Sequence, residues 1–384
     1  MNTKLMAIAV VAVVMVGAVA AFTVLRDKPD PGVEDRGWYG WNPKTVLVSS
    51  SNLALSPFWP NTIEYIYGEI YGDISSHGTY TIDDVPDDFY PKKNTLVDYN
   101  DAGKLVVTSW YYEAGVWKSF DVTFDKQATG GIASGSQFIC LYYVLCAAYD
   151  VDPMDYDPAV VEKFWSYALG GDGSLFEPRF ETTYGIPVAG FNGGELGNPS
   201  LTLNSDPEKH VALVGKLVAE GEVPVWICSG SMPAYENGGK VIRDIMEDSG
   251  FYSVTFQTGT FYDCLSMIEA IAHIFGYGDY ADAVIDTLRV KMYTLYKASE
   301  ATVEEQGFKY TALATYTNSD YVMGKDSATG GDMFFILNLD NVYTLSTSGN
   351  WDGEYVIAAA PQVIIFTMSD ISLVDWNQAM RVPG

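Results

Sequence analysis

Val223–Cys228 reads VPVWIC, Phe251–Phe256 reads FYSVTF, Tyr310–Tyr316 reads YTALATY and Gln362–Met368 reads QVIIFTM. These four short apolar runs decide the fold. Helical patterns separate them, and that alternation predicts parallel sheets covered by helices. Between the second and third runs lies Thr260–Thr302, with almost no helix breaker beyond Gly276-Tyr277-Gly278. Phe261–Phe275 puts Leu265, Ile268, Ala272 and Phe275 on one face, and Tyr280–Ala298 puts Ala281, Ile285, Leu288, Met292 and Leu295 at helical spacing. The predicted fold is α/β: two parallel-sheet lobes joined by one long helix, with an extra N-terminal β-rich region. Two lobes leave a cleft, and open α/β sheets bind ligands beyond the carboxyl ends of their strands.

Working outward, residues 126–278 read as the first lobe, 279–303 as the connecting helix and 304–384 as a short second lobe. Within the first lobe, Ser134–Ala148 is a helical run after the flexible Thr129-Gly130-Gly131. Asp157-Pro158 opens a helix over Ala159–Leu169, and Asp206-Pro207 opens another over Glu208–Ala219. Gly185–Gly190 reads as a short strand, and Lys240–Asp248 as a helix ending at Gly250. Residues 38–125 are rich in Tyr, Thr, Ser and Asp. There Lys104–Tyr112 and Val116–Phe124 form a predicted hairpin around Glu113-Ala114-Gly115. Gly72–Asp84 sets Asp73, Ser75, His77 and Gly78 at calcium-loop spacing, but His77 is a poor ligand for a hard cation and a surface turn is the expectation.

The N-terminus concerns destination. Leu5–Leu25 is uncharged and apolar, flanked by Lys4 and Arg26, so residues 1–25 read as a secretory signal or a single-span membrane anchor. Residues 26–37 read as a linker. Either way, the remainder is expected to be exported, at the cell surface or membrane-anchored. The 49 acidic against 22 basic residues give a net charge of −27, which argues against nucleic acid or anionic lipid as a partner. Cys140, Cys146, Cys228 and Cys264 sit in apolar contexts without metal-ligand spacing, and buried thiols are the expectation.

Enzyme signatures are missing: no Walker loop, no GxSxG, no HExxH, no GxGxxG after a strand. Three histidines leave little for a His-based triad or metal site. The expectation is a binding protein without catalytic residues, metal site or cofactor. Loops following the parallel strands supply Asn192, Ser229, Ser231, Tyr235, Tyr316, Asn318, Tyr321 and Lys325 as candidate ligand-binding residues. Their hydroxyl, amide and aromatic groups suit a bulky, polar or aromatic ligand.

Three passages carry a resemblance. VPVWICSG with its following helix, MIEAIAHIFGYGDYADAVIDTLRVKMYTL, and GKDSATGGDMFFILNLDNVYT leading to APQVIIF are similar to segments of one family. They resemble the substrate-binding proteins of ABC importers with a rigid interlobe helix, which serve ferric siderophores, haem, cobalamin and some metal oxyanions. The resemblance implies capture of such a chelate or cofactor between the lobes, and docking on an ABC permease. Gln137 stands where the family has a docking Glu, and Asp332, nine residues before Asn341, stands near the second docking acid. The chain ends 16 residues after Met368, so the second lobe is expected to be truncated, or completed by the N-terminal β region or a partner. The alternative function is a membrane-anchored surface interaction or adhesion protein that keeps the scaffold without transport.

Overall fold

The long predicted helix is the spine of the molecule. In the computed structural model, Phe261–Ile274 and Gly278–Gln306 are helices, the second of 29 residues, and Gly276 turns the chain between them with φ 75°. The structure describes residues 43–49, 59–74, 78–90, 96–113, 116–150, 164–167, 207–229, 244–257, 259–316, 321–350, 356 and 358–368. Leu5–Leu25, the 185–190 strand and most of the loops expected to line the cleft lie outside them.

The first lobe is a four-stranded, all-parallel sheet. Its order is β6 (Phe164–Tyr167), β5 (Gly130–Ser134), β7 (Pro224–Ser229) and β8 (Tyr252–Phe256). Two expectations change here. Phe164–Tyr167 lies within the predicted helix Ala159–Leu169 but is a strand, paired in parallel register with β5, and its aromatic residues favour a strand over a helix. Thr129-Gly130-Gly131 leads a strand rather than a flexible turn. A side chain at Gly131 would put Cβ 2.3 Å from the Val225 carbonyl, so glycine permits the close approach of β5 to β7.

The second lobe has a six-stranded mixed sheet ordered β1 (Lys44–Ser49), β13 (Val363–Met368), β9 (Thr311–Tyr316), β10 (Tyr321–Val322) and β12 (Gly349–Asn350), with β11 (Asp340–Asn341) beside β9. β1 runs parallel to β13 in continuous register from Lys44–Val363 to Ser49–Met368. The N-terminal end of the chain thus completes the second lobe, one of the three routes open from the sequence. Val363–Thr367 and Ala312–Thr315 are buried throughout, as strands covered on both faces must be.

The stretch 38–125 is consequently divided. β1 and the helix that follows it belong with the second lobe. The three-stranded antiparallel sheet β2 (Val97–Tyr99), β3 (Leu105–Glu113), β4 (Val116–Phe124) contains the expected hairpin. Buried hydroxyls fasten that sheet to the first lobe: Thr255 N donates to Ser109 Oγ at 2.8 Å, and Thr255 Oγ1 donates to the Trp110 carbonyl at 2.5 Å.

Among the described residues, helices with both ends defined are, in chain order, α1 (Trp59–Tyr71), α2 (Gly135–Tyr149), α3 (Pro207–Ala219), α4 (Phe261–Ile274), α5 (Gly278–Gln306) and the short α6 (Met333–Ile336). α1 was not foreseen. Its Ile63, Ile66, Tyr67 and Ile70 form one buried stripe at helical spacing. It is tied to α5 by the Lys291–Glu64 ion pair at 2.7 Å and by Tyr67 Oη to Thr302 Oγ1 at 2.9 Å. Cys140 and Cys264 are buried thiols with sulfurs 4.0 Å apart, joining α2 to α4 without a disulfide, and Cys146 is buried likewise.

If β1 is integral to the second lobe, Val46→Ala will destabilise the whole protein. Val46 is 2% exposed at the centre of the β1–β13 pairing. A loss of about 2 kcal/mol is expected, seen as a lower urea midpoint at unchanged slope. A surface-like loss below about 0.5 kcal/mol would mean β1 is not part of the cooperative core.

Candidate functional site

The carboxyl end of β8 opens α4, and the sequence there is Gly259-Thr260-Phe261-Tyr262-Asp263. Thr260 caps the helix and Asp263 closes a capping box. The Asp263 carboxylate accepts from Gly259 N and Thr260 N, both at 2.9 Å. Burial nevertheless raises its pKa. The next free amide, Phe261 N, donates to Asp332 Oδ2 at 2.6 Å. Asp332 belongs to the second lobe, at the end of a π-helical turn (Ala328–Asp332) that leads into α6. One carboxylate of the second lobe therefore occupies a helix N-terminus of the first.

The turn that places Asp332 depends on glycine. A Cβ on Gly331 would lie 2.2 Å from the Lys325 carbonyl, and one on Gly330 would lie 2.3 Å from that of Gly324. Only bare backbone allows the chain to fold back this closely. Asn341 Nδ2 then donates to the Gly330 carbonyl at 3.0 Å and pins the turn to β11.

A third segment completes the site. Arg289 of α5 is buried and donates to the carbonyls of Phe89, at 3.3 Å, and Pro86, at 3.1 Å. This holds residues 86–90 against the spine. Phe89 packs edge-on to Tyr293 at 5.1 Å, and Phe335 of α6 stacks on Tyr296 at 5.1 Å. Asp88, Phe89, Tyr90, Tyr262, Asp332 and Phe335 together line a pocket of about 340 Å³ where the two lobes meet beside α5.

Its electrostatics are governed by burial. Desolvation pushes the Asp332 pKa up to about 6, with the nearby Asp263 charge adding to the rise and the Phe261 amide opposing it. Burial also raises the Tyr90 phenol, helped by the Asp332 carboxylate, and its hydroxyl is enclosed without a well-formed hydrogen bond. Among the described residues, no group of His, Cys, Asp or Glu is arranged to hold a metal ion.

The residues foreseen from the sequence are distributed differently. Ser229 and Tyr316 end β7 and β9, at the carboxyl edges of their sheets, and Tyr321 begins β10. Lys325 is exposed, with its amide bonded to the Leu345 carbonyl at 3.0 Å. Asn192, Ser231, Tyr235 and Asn318 lie outside the described residues. Gln137, in the first turn of α2, is 0% exposed with both amide atoms unpartnered. Asp332 is turned into the lobe junction. Gln137 is thus enclosed, whereas Asp332 is partly buried and faces the pocket.

The pocket's aromatic residues were missed because Tyr90, Tyr262 and Phe335 come from three distant segments with no shared motif. One signal was readable. Thr-x-x-Asp after an apolar strand marks a helix N-terminus at a sheet's carboxyl edge, where sites form.

Comparison with protein-family models gives no match, and neither does comparison with curated proteins. Solved structures do resemble the chain. One is a possible iron-binding (periplasmic solute-binding) protein from Staphylococcus epidermidis, at 14% identity and TM-score 0.41 over 63% of this chain and 78% of that one. Another is a periplasmic heme binding protein from Pseudomonas aeruginosa, at 12% identity and TM-score 0.42 over 63% and 72%. A third is a periplasmic vitamin B12 binding protein from Vibrio cholerae, at 12% identity and TM-score 0.36 over 61% and 74%.

Asp332 sets a pH dependence whose sign is fixed. Its folded pKa, about 6, lies above the ordinary 3.8, so the folded state holds an extra proton between those values. Stability therefore falls as pH rises from about 4 to 6, and the full penalty of the buried charge is present above that. The displacement corresponds to at most about 3 kcal/mol. Asp332→Asn keeps an acceptor for Phe261 N and removes the charge. It should match the parent near pH 4 and be more stable by about 1–3 kcal/mol at pH 8, in urea unfolding at each pH. A variant less stable at pH 8 would show that the charge is a net gain there.

Proposed function

We propose that the chain is an extracytoplasmic solute-binding protein that captures its ligand between the two lobes and presents it to an ABC permease. The observation that carries this is the pocket at the lobe junction, bounded by the α4 N-terminus of one lobe, the Asp332 turn of the other and a segment clamped to the spine. Preformed concavities with aromatic walls and few polar groups are what small-molecule capture requires. The 29-residue α5 suits a mechanism with little hinge closure, in which binding depends on a site already assembled.

The ligand class implied by the sequence resemblance is an iron chelate, haem or cobalamin. Export through the apolar Leu5–Leu25 segment belongs to this reading, as does the absence of catalysis, and Ser229, Tyr316 and Tyr321, at the ends of their strands, remain ligand-binding candidates outside the pocket lining. Gln137 and Asp332 remain the proposed docking positions.

Thermal unfolding of the protein against haem, cobalamin and several ferric siderophores tests the proposal. A true ligand at about 100 times its dissociation constant should add roughly 2.7 kcal/mol, a shift of a few degrees for a chain of this size. If a folded sample is shifted by none of them, chelate capture is lost and the surface-interaction alternative takes its place.

A further inference from the structure

The lobe-junction pocket has a charge character that the chelate reading does not use. Its lining contains two carboxylates, Asp88 and Asp332, four aromatic rings and no basic residue. The rings sit at steep angles to one another: Phe89 and Tyr90 meet edge-on at 5.2 Å and 87°, while Phe89 and Phe335 lie 6.2 Å apart and tilted at 38°. Phe335 is 53% exposed at the rim although large and apolar, so part of its face is available to an occupant. Two cations lie close by and neither lines the pocket: buried Arg289 donates to the carbonyls of Phe89 and Pro86 behind the wall, and Lys297 is paired with Glu300 and lies over Tyr296.

Ring faces carry negative electrostatic potential, and carboxylates carry full negative charge. An anionic ligand would meet repulsion from both, with no Lys or Arg in the lining to answer it. A hard metal ion would want several oxygen ligands at short distance, whereas the described residues form no such group. A cation with an apolar exterior satisfies every wall at once. Its charge faces Asp332, whose Oδ2 is fixed by Phe261 N, and its alkyl groups lie against Phe89, Tyr262 and Phe335. The acidity of the whole chain, at net charge −27, draws cations and repels anions over the approach.

We propose that this pocket binds a small organic ammonium ion, of the quaternary or alkylated amine class. The inference rests on the lobe junction being the capture site, and it replaces a chelate by a cation as the pocket's occupant.

The test is isothermal titration calorimetry on the full chain with tetramethylammonium and choline, using 3,3-dimethylbutan-1-ol as the uncharged isostere of choline. Both cations are expected to bind and the alcohol to remain silent at equal concentration. Phe335→Ala, at an exposed rim position that leaves the core intact, should weaken choline roughly three- to fivefold. Asp332→Asn should weaken it by about tenfold or more. Equal binding of the alcohol, or unchanged choline affinity in both variants, overturns the assignment. Haem, cobalamin and a ferric siderophore are titrated in parallel. A chelate that binds while neither cation does overturns this inference and leaves solute capture standing. Cations that bind while every chelate is silent uphold it and remove the chelate class. Silence from all of them overturns both.

Discussion

The second lobe is a mixed sheet whose parallel core its own stretch of chain does not finish. β13 is apolar on both faces and needs a strand on each side, and β9 supplies only one. The other is β1, about three hundred residues earlier, paired over its whole length. The placement of the segment that follows β1 is consistent with that closure. Once β1 lies beside β13, the chain leaving it forms α1 and packs its buried stripe along α5. The segment after α1 then reaches the point on the spine where Arg289 can hold it. A sheet closed by such distant partners carries a large loop-closure cost, so its pairing forms only with the rest of the lobe in place.

Burying Arg289 and Asp332 costs solvation, and each is compensated in its own way. Arg289 spends its donors on two backbone carbonyls of the segment 86–90, with Asp286 3.9 Å away. Backbone acceptors satisfy the guanidinium's hydrogen bonds but do not neutralise it, so the arrangement fixes position more than it adds stability. Asp332 has the Phe261 amide and the positive end of α4 in its favour, and the Asp263 carboxylate against it. Desolvation wins, which is why its pKa rises. Neither residue is an economical choice for a core: Asp332 lines the pocket, and Arg289 holds from behind the segment that supplies another of its walls. Strain and unsatisfied polarity collect where binding or catalysis needs them.

The parts of the fold that were legible are those with a strong period or a continuous apolar run. β7, β8, β9 and β13 announce themselves as short apolar segments, and α4 and α5 as long stripes. What escaped did so for physical reasons. α1 is rich in Ile and Tyr, residues of high strand propensity, and only its buried positions 63, 66, 67 and 70 reveal the helix. β5 hides behind two glycines, of which Gly131 permits close strand approach, and β6 inside a helix-like context that the sheet overrides. The pairing of β1 was beyond reach, since register across three hundred residues leaves no local mark. The site was less legible still. Asp332 is singled out by the sequence as a docking acid, but its bond across the lobes is not legible there, because its partner, Phe261 N, is a backbone group that no side-chain motif encodes.

Three separately anchored pieces of chain wall the pocket, and this bears on how an occupant would be sensed. Phe89 is held to the spine by Arg289, Tyr262 belongs to the first lobe, and Phe335 to the second, though it also leans on Tyr296 of the spine. A direct link between lobes is the bond from Phe261 N to a partly buried carboxylate, which is stronger than a neutral one and costly to leave unmade. Opening the lobes would strand both partners at once, a helix amide without an acceptor and an acid without its donor. A charge placed beside Asp332 acts on that same carboxylate. A cation there stabilises the ionised form and offsets the desolvation that raises its pKa, so that occupancy and the lobe–lobe bond favour one protonation state. The coupling needs no hinge: it runs through a single acid that both the ligand and the opposite lobe must share.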